Sequence, residues 1–203
     1  ISGINVEIYR VFPLDSNTTR TPNVPTRVNS PSDVAFAERN GVSFTGATLN
    51  ASFTALNSVQ AGGIHPLPNQ TTGGNGAVTG QEVQFQVTFS SPFDLPPDHY
   101  FFVPQVDVDG GEFLWLSAER PIVTGTPFAP DLQAWIRDGD LDPDWLRIGT
   151  DIVGGATPPT FNLAFSLAGE TVDAAVSEPS ALALLATLGM ILGSPVARRG
   201  KRN

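Results

Sequence analysis

Glycine and proline interrupt this chain so often that little room remains for long helices. Together they make up 38 of its 203 residues. Glycine weakens a helix interior, and proline breaks the hydrogen-bond ladder of a helix. Turns between short strands use both residues readily. We therefore expect a fold made of strands, and the length suits one domain with its own core.

The clearest strand covers residues 81–89, where apolar and polar side chains alternate. A period of two places alternate side chains on opposite faces of a sheet. The inward residues would be Val83, Phe85, Val87 and Phe89. Similar alternation predicts strands at residues 161–167, 49–55 and 6–12, the last interrupted by Arg10.

Residues 100–116 are predicted to form a hairpin. Segments 100–108 and 113–116 are apolar on both faces, and Asp109-Gly110-Gly111 between them is a strong turn signal. Pro104 cannot donate to the ladder and therefore needs an edge strand or a bulge.

Helix signals are few. Ser30 and Pro31 are typical of a helix start and Asn40-Gly41 of a helix end, which predicts a short helix over residues 33–39. A second short helix is predicted over residues 131–136. Short strands with frequent turns predict an all-β chain, namely a single antiparallel β-sandwich domain of jelly-roll or immunoglobulin-like form with one or two short helices.

Charge is distributed unevenly along the chain. Residues 1–177 contain seven arginines and nineteen acidic residues, a net charge of −12, against −9 for the whole chain. Such a body repels nucleic acid, so no nucleic-acid partner is expected, whereas cations and neutral glycans suit its charge. The chain has no cysteine, which excludes disulfides, thiolate metal sites and a cysteine nucleophile.

The end of the chain is apolar and then basic. Residues 181–197 contain no charged residue, and their length is at the lower limit for a membrane span. We expect a hydrophobic transmembrane helix here. The basic residues after it would act as a stop-transfer signal that stays cytoplasmic: Arg198, Arg199, Lys201 and Arg202. The alternative is a buried helix of the domain, which would need a polar face, and between residues 181 and 192 only Thr187 is polar.

Ser177, Glu178 and Pro179 stand just before the apolar segment. A short motif with Glu-Pro, an apolar helix and a terminal arginine cluster resembles the PEP-CTERM sorting signal, and the resemblance covers residues 177–203. The family's usual first proline is Ser177 here. The resemblance implies processing by an exosortase-type membrane protease or transpeptidase.

On this resemblance the chain divides into a body, residues 1–176, and a sorting signal, residues 177–203. The precursor would be anchored in the inner membrane, and the processed body would reach the cell surface or be secreted. The alternative is a tail that remains as a single-pass anchor.

An acidic run is the strongest candidate for a metal site. It places carboxylates at every second position: Asp138, Asp140, Asp142 and Asp144. Such closely spaced carboxylates suit Ca²⁺. The run is not an EF-hand loop, since Pro143 stands where that loop needs glycine and Gly149 where it needs glutamate. The alternative interpretation is a solvated acidic turn that caps a short helix.

Asp107, Asp109 and Glu112 form a weaker acidic cluster around the predicted hairpin turn, where aspartates are ordinary turn residues.

Three tryptophans suggest stacking on sugar rings, but each lies among apolar neighbours, which favours core packing. Trp145, beside the acidic run, is the candidate ligand platform. Catalytic signals are weak: the histidines are His65 and His99, and no serine lies in a Gly-x-Ser-x-Gly motif. No catalytic residue is predicted, and the protein is predicted not to be an enzyme.

The predicted function follows from the predicted destination, by association rather than from a site. It is a structural or adhesive protein of the cell surface or extracellular matrix, associated with exopolysaccharide. One alternative is a calcium-dependent carbohydrate-binding module, with no other cofactor. The other is a surface hydrolase that uses two carboxylates.

Overall fold

The computed structural model describes residues 1–19, 28–60, 71–120, 133–137 and 145–171. Within these ranges the chain forms nine strands, and every strand pairing is antiparallel. The strands are β1 (Gly3–Arg10), β2 (Ala37–Arg39), β3 (Ser43–Ala55), β4 (Val78–Thr88), β5 (Tyr100–Asp107), β6 (Ser117–Ala118), β7 (Trp135–Arg137), β8 (Trp145–Arg147) and β9 (Asn162–Leu163). A π-helical segment, Ile148–Val153, follows β8.

The described chain is therefore all-β and antiparallel, as predicted, with almost no helix. It divides into two compact units, Ile1–Phe165 and Ser166–Asn203, and all nine described strands belong to the first. Within the described ranges no helix has the length and apolar character needed to cross a bilayer. The helix expected over residues 181–197 and the domain boundary expected at residue 177 lie outside those ranges.

β1 is the centre of a three-stranded sheet in the order β2–β1–β5. Ile4, Val6 and Ile8 point to one face and are buried, and Tyr9 on the other face is also buried. β1 therefore contributes to the core on both faces. The strand was predicted over residues 6–12 but starts earlier and ends at Arg10, whose guanidinium pairs with Asp15.

β3 and β4 form a two-stranded antiparallel sheet, called the ribbon below. β4 confirms the strand predicted over residues 81–89, but the expected inward position of Val83 is wrong, since its side chain is 36% exposed. The strand predicted over residues 49–55 lies within β3, but its expected single inward face is wrong. Register shifts between Thr48 and Phe53 indicate bulges, which change the face that each side chain occupies. Leu49, expected to point inward, is 60% exposed.

The hairpin predicted over residues 100–116 is wrong. β5 pairs with β1, residues 113–116 form no strand, and β6 pairs with β9. Gly110 and Gly111 do have positive φ angles, and the chain bends at the position of the turn signal. The edge position of β5 in its sheet accommodates Pro104, as expected. β9 covers only two residues of the strand predicted over residues 161–167.

Neither predicted α-helix forms in the described residues. Ala37–Arg39 is β2, and the backbone N–H of Phe36 donates to the carbonyl of Ile8 at 2.8 Å. This pairing satisfies the free edge of β1, which outweighs the local helix signals. Trp135 and Ile136 belong to β7, and residues 131–132 lie outside the described ranges.

Candidate functional site

The hairpin of β7 and β8 flanks the acidic run. Its register pairs Arg137 with Trp145, so the two ends of the run's connection are neighbours in a sheet. The connection itself lies outside the described residues, and with it the candidate calcium ligands Asp138, Asp140, Asp142 and Asp144. The chain on either side of the run is therefore strand rather than the predicted short helix.

The two tryptophans of this hairpin form an aromatic cluster with Tyr9 of the central sheet. The Tyr9 and Trp145 rings meet edge to face at 5.2 Å between centroids, and Phe101 and Trp135 do so at 6.3 Å. Such geometry suits the electrostatics of aromatic rings. The Nε1 of Trp145 donates a hydrogen bond of 3.0 Å to the carbonyl of Ser32.

This placement overturns the interpretation of Trp145 as a ligand platform. A ring that stacks on a sugar must present one face to solvent, but Trp145 is only 3% exposed. Core packing, the alternative, is what the structure shows. Trp115, less deeply buried, packs against Phe102 and Phe165 and donates its Nε1 to the carbonyl of Ala164.

Trp135 differs from Trp145 at its indole nitrogen. Its Nε1 is buried and has no hydrogen-bond partner. A buried N–H without an acceptor destabilises the folded state, because it loses its bond to water. The sequence around Trp135 carries no signal for this difference.

A polar chain crosses the edge of the aromatic cluster. The Nη1 of Arg137 donates to the Tyr9 hydroxyl at 3.0 Å, and that hydroxyl donates to Oε2 of Glu7 at 2.8 Å. The guanidinium also lies 5.7 Å from the Trp145 ring centroid, within range of a cation–π contact. These contacts thus hold the positive charge of Arg137 immediately before the acidic run. Sequence reasoning singled out neither Glu7 nor Arg137, because Arg137 and the Tyr9 hydroxyl that links it to Glu7 are remote from each other in the chain.

Asp151 is held by Arg147 and is committed to a structural role. Its two carboxylate oxygens accept from Nε and Nη2 of Arg147 at 3.0 and 2.8 Å, and one of them also accepts from the Arg147 backbone N–H. Gly149 lies between them, and a Cβ built there would overlap the carbonyl oxygen of Pro159. The position that an EF-hand would fill with glutamate therefore admits no side chain.

Within the part of the chain that the structure describes, no three histidine, aspartate or glutamate side chains are grouped so that they could hold a metal ion. Asp107, Asp109 and Glu112 are therefore not gathered into a site.

His99 and Tyr100 lie at the start of β5. Burial lowers the pKa of His99, and the nearby charge of Asp98 opposes this shift. Burial also raises the pKa of Tyr100, whose hydroxyl donates to the carbonyl of Pro96 at 2.7 Å. The other histidine, His65, lies outside the described residues.

The sorting motif, Ser177, Glu178 and Pro179, also lies outside the described residues, as does the basic cluster that ends the chain. Comparisons of the chain with known protein families, with curated proteins and with solved structures found no match.

Proposed function

We propose that this chain is an exported protein of the cell surface or extracellular matrix, structural or adhesive, and associated with exopolysaccharide. The observation that carries the proposal is the order of motif, apolar segment and basic cluster within residues 177–203. An exosortase-type enzyme of the inner membrane would process the tail. An acidic body without cysteine is compatible with this destination, and we assign it no enzymatic activity.

We further propose that the body, residues 1–176, is a β-sandwich. Contacts on both faces of the central sheet support this architecture. On one face Tyr9 and Phe101 meet the tryptophans of the β7–β8 hairpin. On the other face Phe102 meets Trp115 and Phe165, which lie close in sequence to β6 and β9.

The test of the sorting tail is the intact mass of the protein recovered from the surface of producing cells. Cleavage near Glu178 should remove the basic cluster. A matched variant, Glu178→Ala with Pro179→Ala, should retain the tail and accumulate at the inner membrane. A surface protein whose mass still includes Arg202 would contradict processing and favour a permanent anchor.

A second candidate function, calcium-dependent carbohydrate binding, is favoured by the hairpin register. The Arg137–Trp145 pair holds both ends of the acidic run together, and a cation would relieve the repulsion among its carboxylates. Since Trp145 is buried, the glycan would contact the cation rather than an aromatic platform.

The test of this candidate is retention of the protein on the producing cells' exopolysaccharide, in calcium and in EDTA. Asp140→Asn with Asp142→Asn should abolish calcium-dependent retention. Asp109→Asn with Glu112→Gln removes the same charge from the weaker cluster and should not. Equal retention by both variants in both buffers would exclude the calcium site.

A further inference from the structure

The outer edge of β4 is unusual among the described strand edges. An edge strand presents unpaired N–H and C=O groups, and natural proteins protect such edges with short strands, charge, proline or bulges. β2, β6, β7, β8 and β9 have two or three residues each, β5 contains Pro104, and β3 is bulged. β4 has eleven residues, no proline and only one charged residue, Glu82.

The ribbon pairs with no further strand of the described chain. In an antiparallel strand every second residue directs its backbone groups away from its partner. Among the described residues, no other strand pairs with the outward N–H and C=O groups of β4, which are therefore available for another strand. The side chains of Gln84 and Gln86 in this strand are exposed, and that of Val83 is 36% exposed.

Charge indicates which partner suits this edge. Glu82 is the only aspartate, glutamate, lysine or arginine between Arg39 and Asp94, in a body whose net charge is −12. Two copies of such an acidic body repel each other over most of their surface. The ribbon is a region where they can approach without that repulsion.

The sequence of β4 also fits itself. Residues 83–87 read Val-Gln-Phe-Gln-Val, which is the same in both directions. In an antiparallel pair centred on Phe85, each Gln84 lies opposite Gln86 of the other copy, and each Val83 lies opposite Val87. Glutamine thus lies opposite glutamine on one face and valine opposite valine on the other, which is compatible with a two-fold interface. The two copies of Glu82 lie well apart.

We propose that two copies of this chain associate through β4, forming a continuous four-stranded antiparallel sheet with its two-fold axis at Phe85. The inference goes beyond the proposed function and does not depend on the sorting tail. A matrix protein that pairs in this way would present two bodies on one shared sheet.

The test uses the full chain in a mild non-ionic detergent, so that any association through the apolar tail is common to all variants. Sedimentation equilibrium gives the dimer dissociation constant. Gln84→Lys with Gln86→Lys places lysine opposite lysine at two positions of the seam and should weaken association about tenfold. Gln84→Glu with Gln86→Glu should do the same. An equimolar mixture of the two variants places lysine opposite glutamate and should recover association.

The matched control is Thr45→Lys with Ala47→Lys. These residues pair with Gln86 and Gln84 within the ribbon, so they add the same charge one strand away from the seam. This control should associate like the unmodified chain. Weakening of the control with an unaffected β4 variant would overturn the proposal and place the seam on β3.

Hydrogen exchange supplies a second measurement that needs no substitution. Outward amides within Val83–Val87 should exchange more slowly as the protein concentration rises, whereas those of β3 should not change. A chain that remains monomeric at millimolar concentration, or a mixture of charge variants that fails to recover association, would overturn the proposal.

Discussion

At the scale of single residues, Trp135 and Trp145 share one aromatic cluster but differ at one atom. The indole N–H of Trp145 donates to the buried residue Ser32, whereas that of Trp135 has no partner. Composition around both residues favoured the core, and the structure places both there. The hydrogen bond could not be predicted, because its acceptor lies in a segment that is remote in sequence.

Replacing each tryptophan with phenylalanine should separate packing from hydrogen bonding. Both variants lose similar volume, but only Trp145→Phe leaves the Ser32 carbonyl unpaired. Trp145→Phe should therefore lower the free energy of unfolding by about 1–3 kcal/mol more than Trp135→Phe. Urea denaturation of the two variants measures the difference. Equal losses would show that the Ser32 hydrogen bond contributes nothing net.

The pair of Arg10 and Asp15 predicts how stability changes with acid. The hydrogen bond from Arg10 lowers the pKa of Asp15, and partial burial opposes this shift. Because the carboxyl's pKa is lower in the folded than in the unfolded chain, its stabilisation is complete above the unfolded pKa, about 4, and is lost as pH falls through the folded value.

Asp15→Asn should therefore be less stable than the unmodified chain at neutral pH, and the difference should shrink as the pH falls below about 4. Asp15 has φ of 51°, a conformation that asparagine also tolerates, so the backbone is preserved. Denaturation midpoints across pH measure the effect, with Asp109→Asn as the exposed control. A difference that does not change with pH would contradict the ion pair.

At the scale of elements, alternation identified strands better than it identified their partners or faces. β4 lies where its period of two placed it. The same logic failed for β3, since a bulge adds a residue without any mark in the sequence. The hairpin prediction at residues 100–116 failed for a different reason: a turn signal reverses the chain without specifying which strand lies beside it.

The π-helical segment after β8 depends on the absence of a side chain at Gly149. Alanine there would collide with the Pro159 carbonyl, so Gly149→Ala should lower the free energy of unfolding by about 1–3 kcal/mol. Gly80→Ala is the matched control, because a Cβ at Gly80 meets nothing within 4 Å. Thermal or urea denaturation distinguishes the two. Equal stability of both variants would contradict the close approach.

At the scale of the whole molecule, composition predicted the class of fold, and local patterns predicted part of its order. The scarcity of helix follows from the frequency of glycine and proline, and the described structure agrees. The arrangement of the candidate site was harder to predict from the sequence. Trp145 was identified as notable, but whether its ring lies inside or outside depends on Tyr9, which belongs to a strand far away in the chain.

The central position of β1 has a consequence for the timing of folding. Arg10 is the partner of Tyr100, and Gly3 is the partner of Asp107. During synthesis β1 therefore emerges long before β5, the strand that completes its sheet. Until β5 emerges, the apolar side chains of β1 lack part of the surface that buries them. Contacts so distant in sequence are formed slowly, because a long loop must close first. We expect chaperones to be needed most during the interval between the appearance of β1 and that of β5.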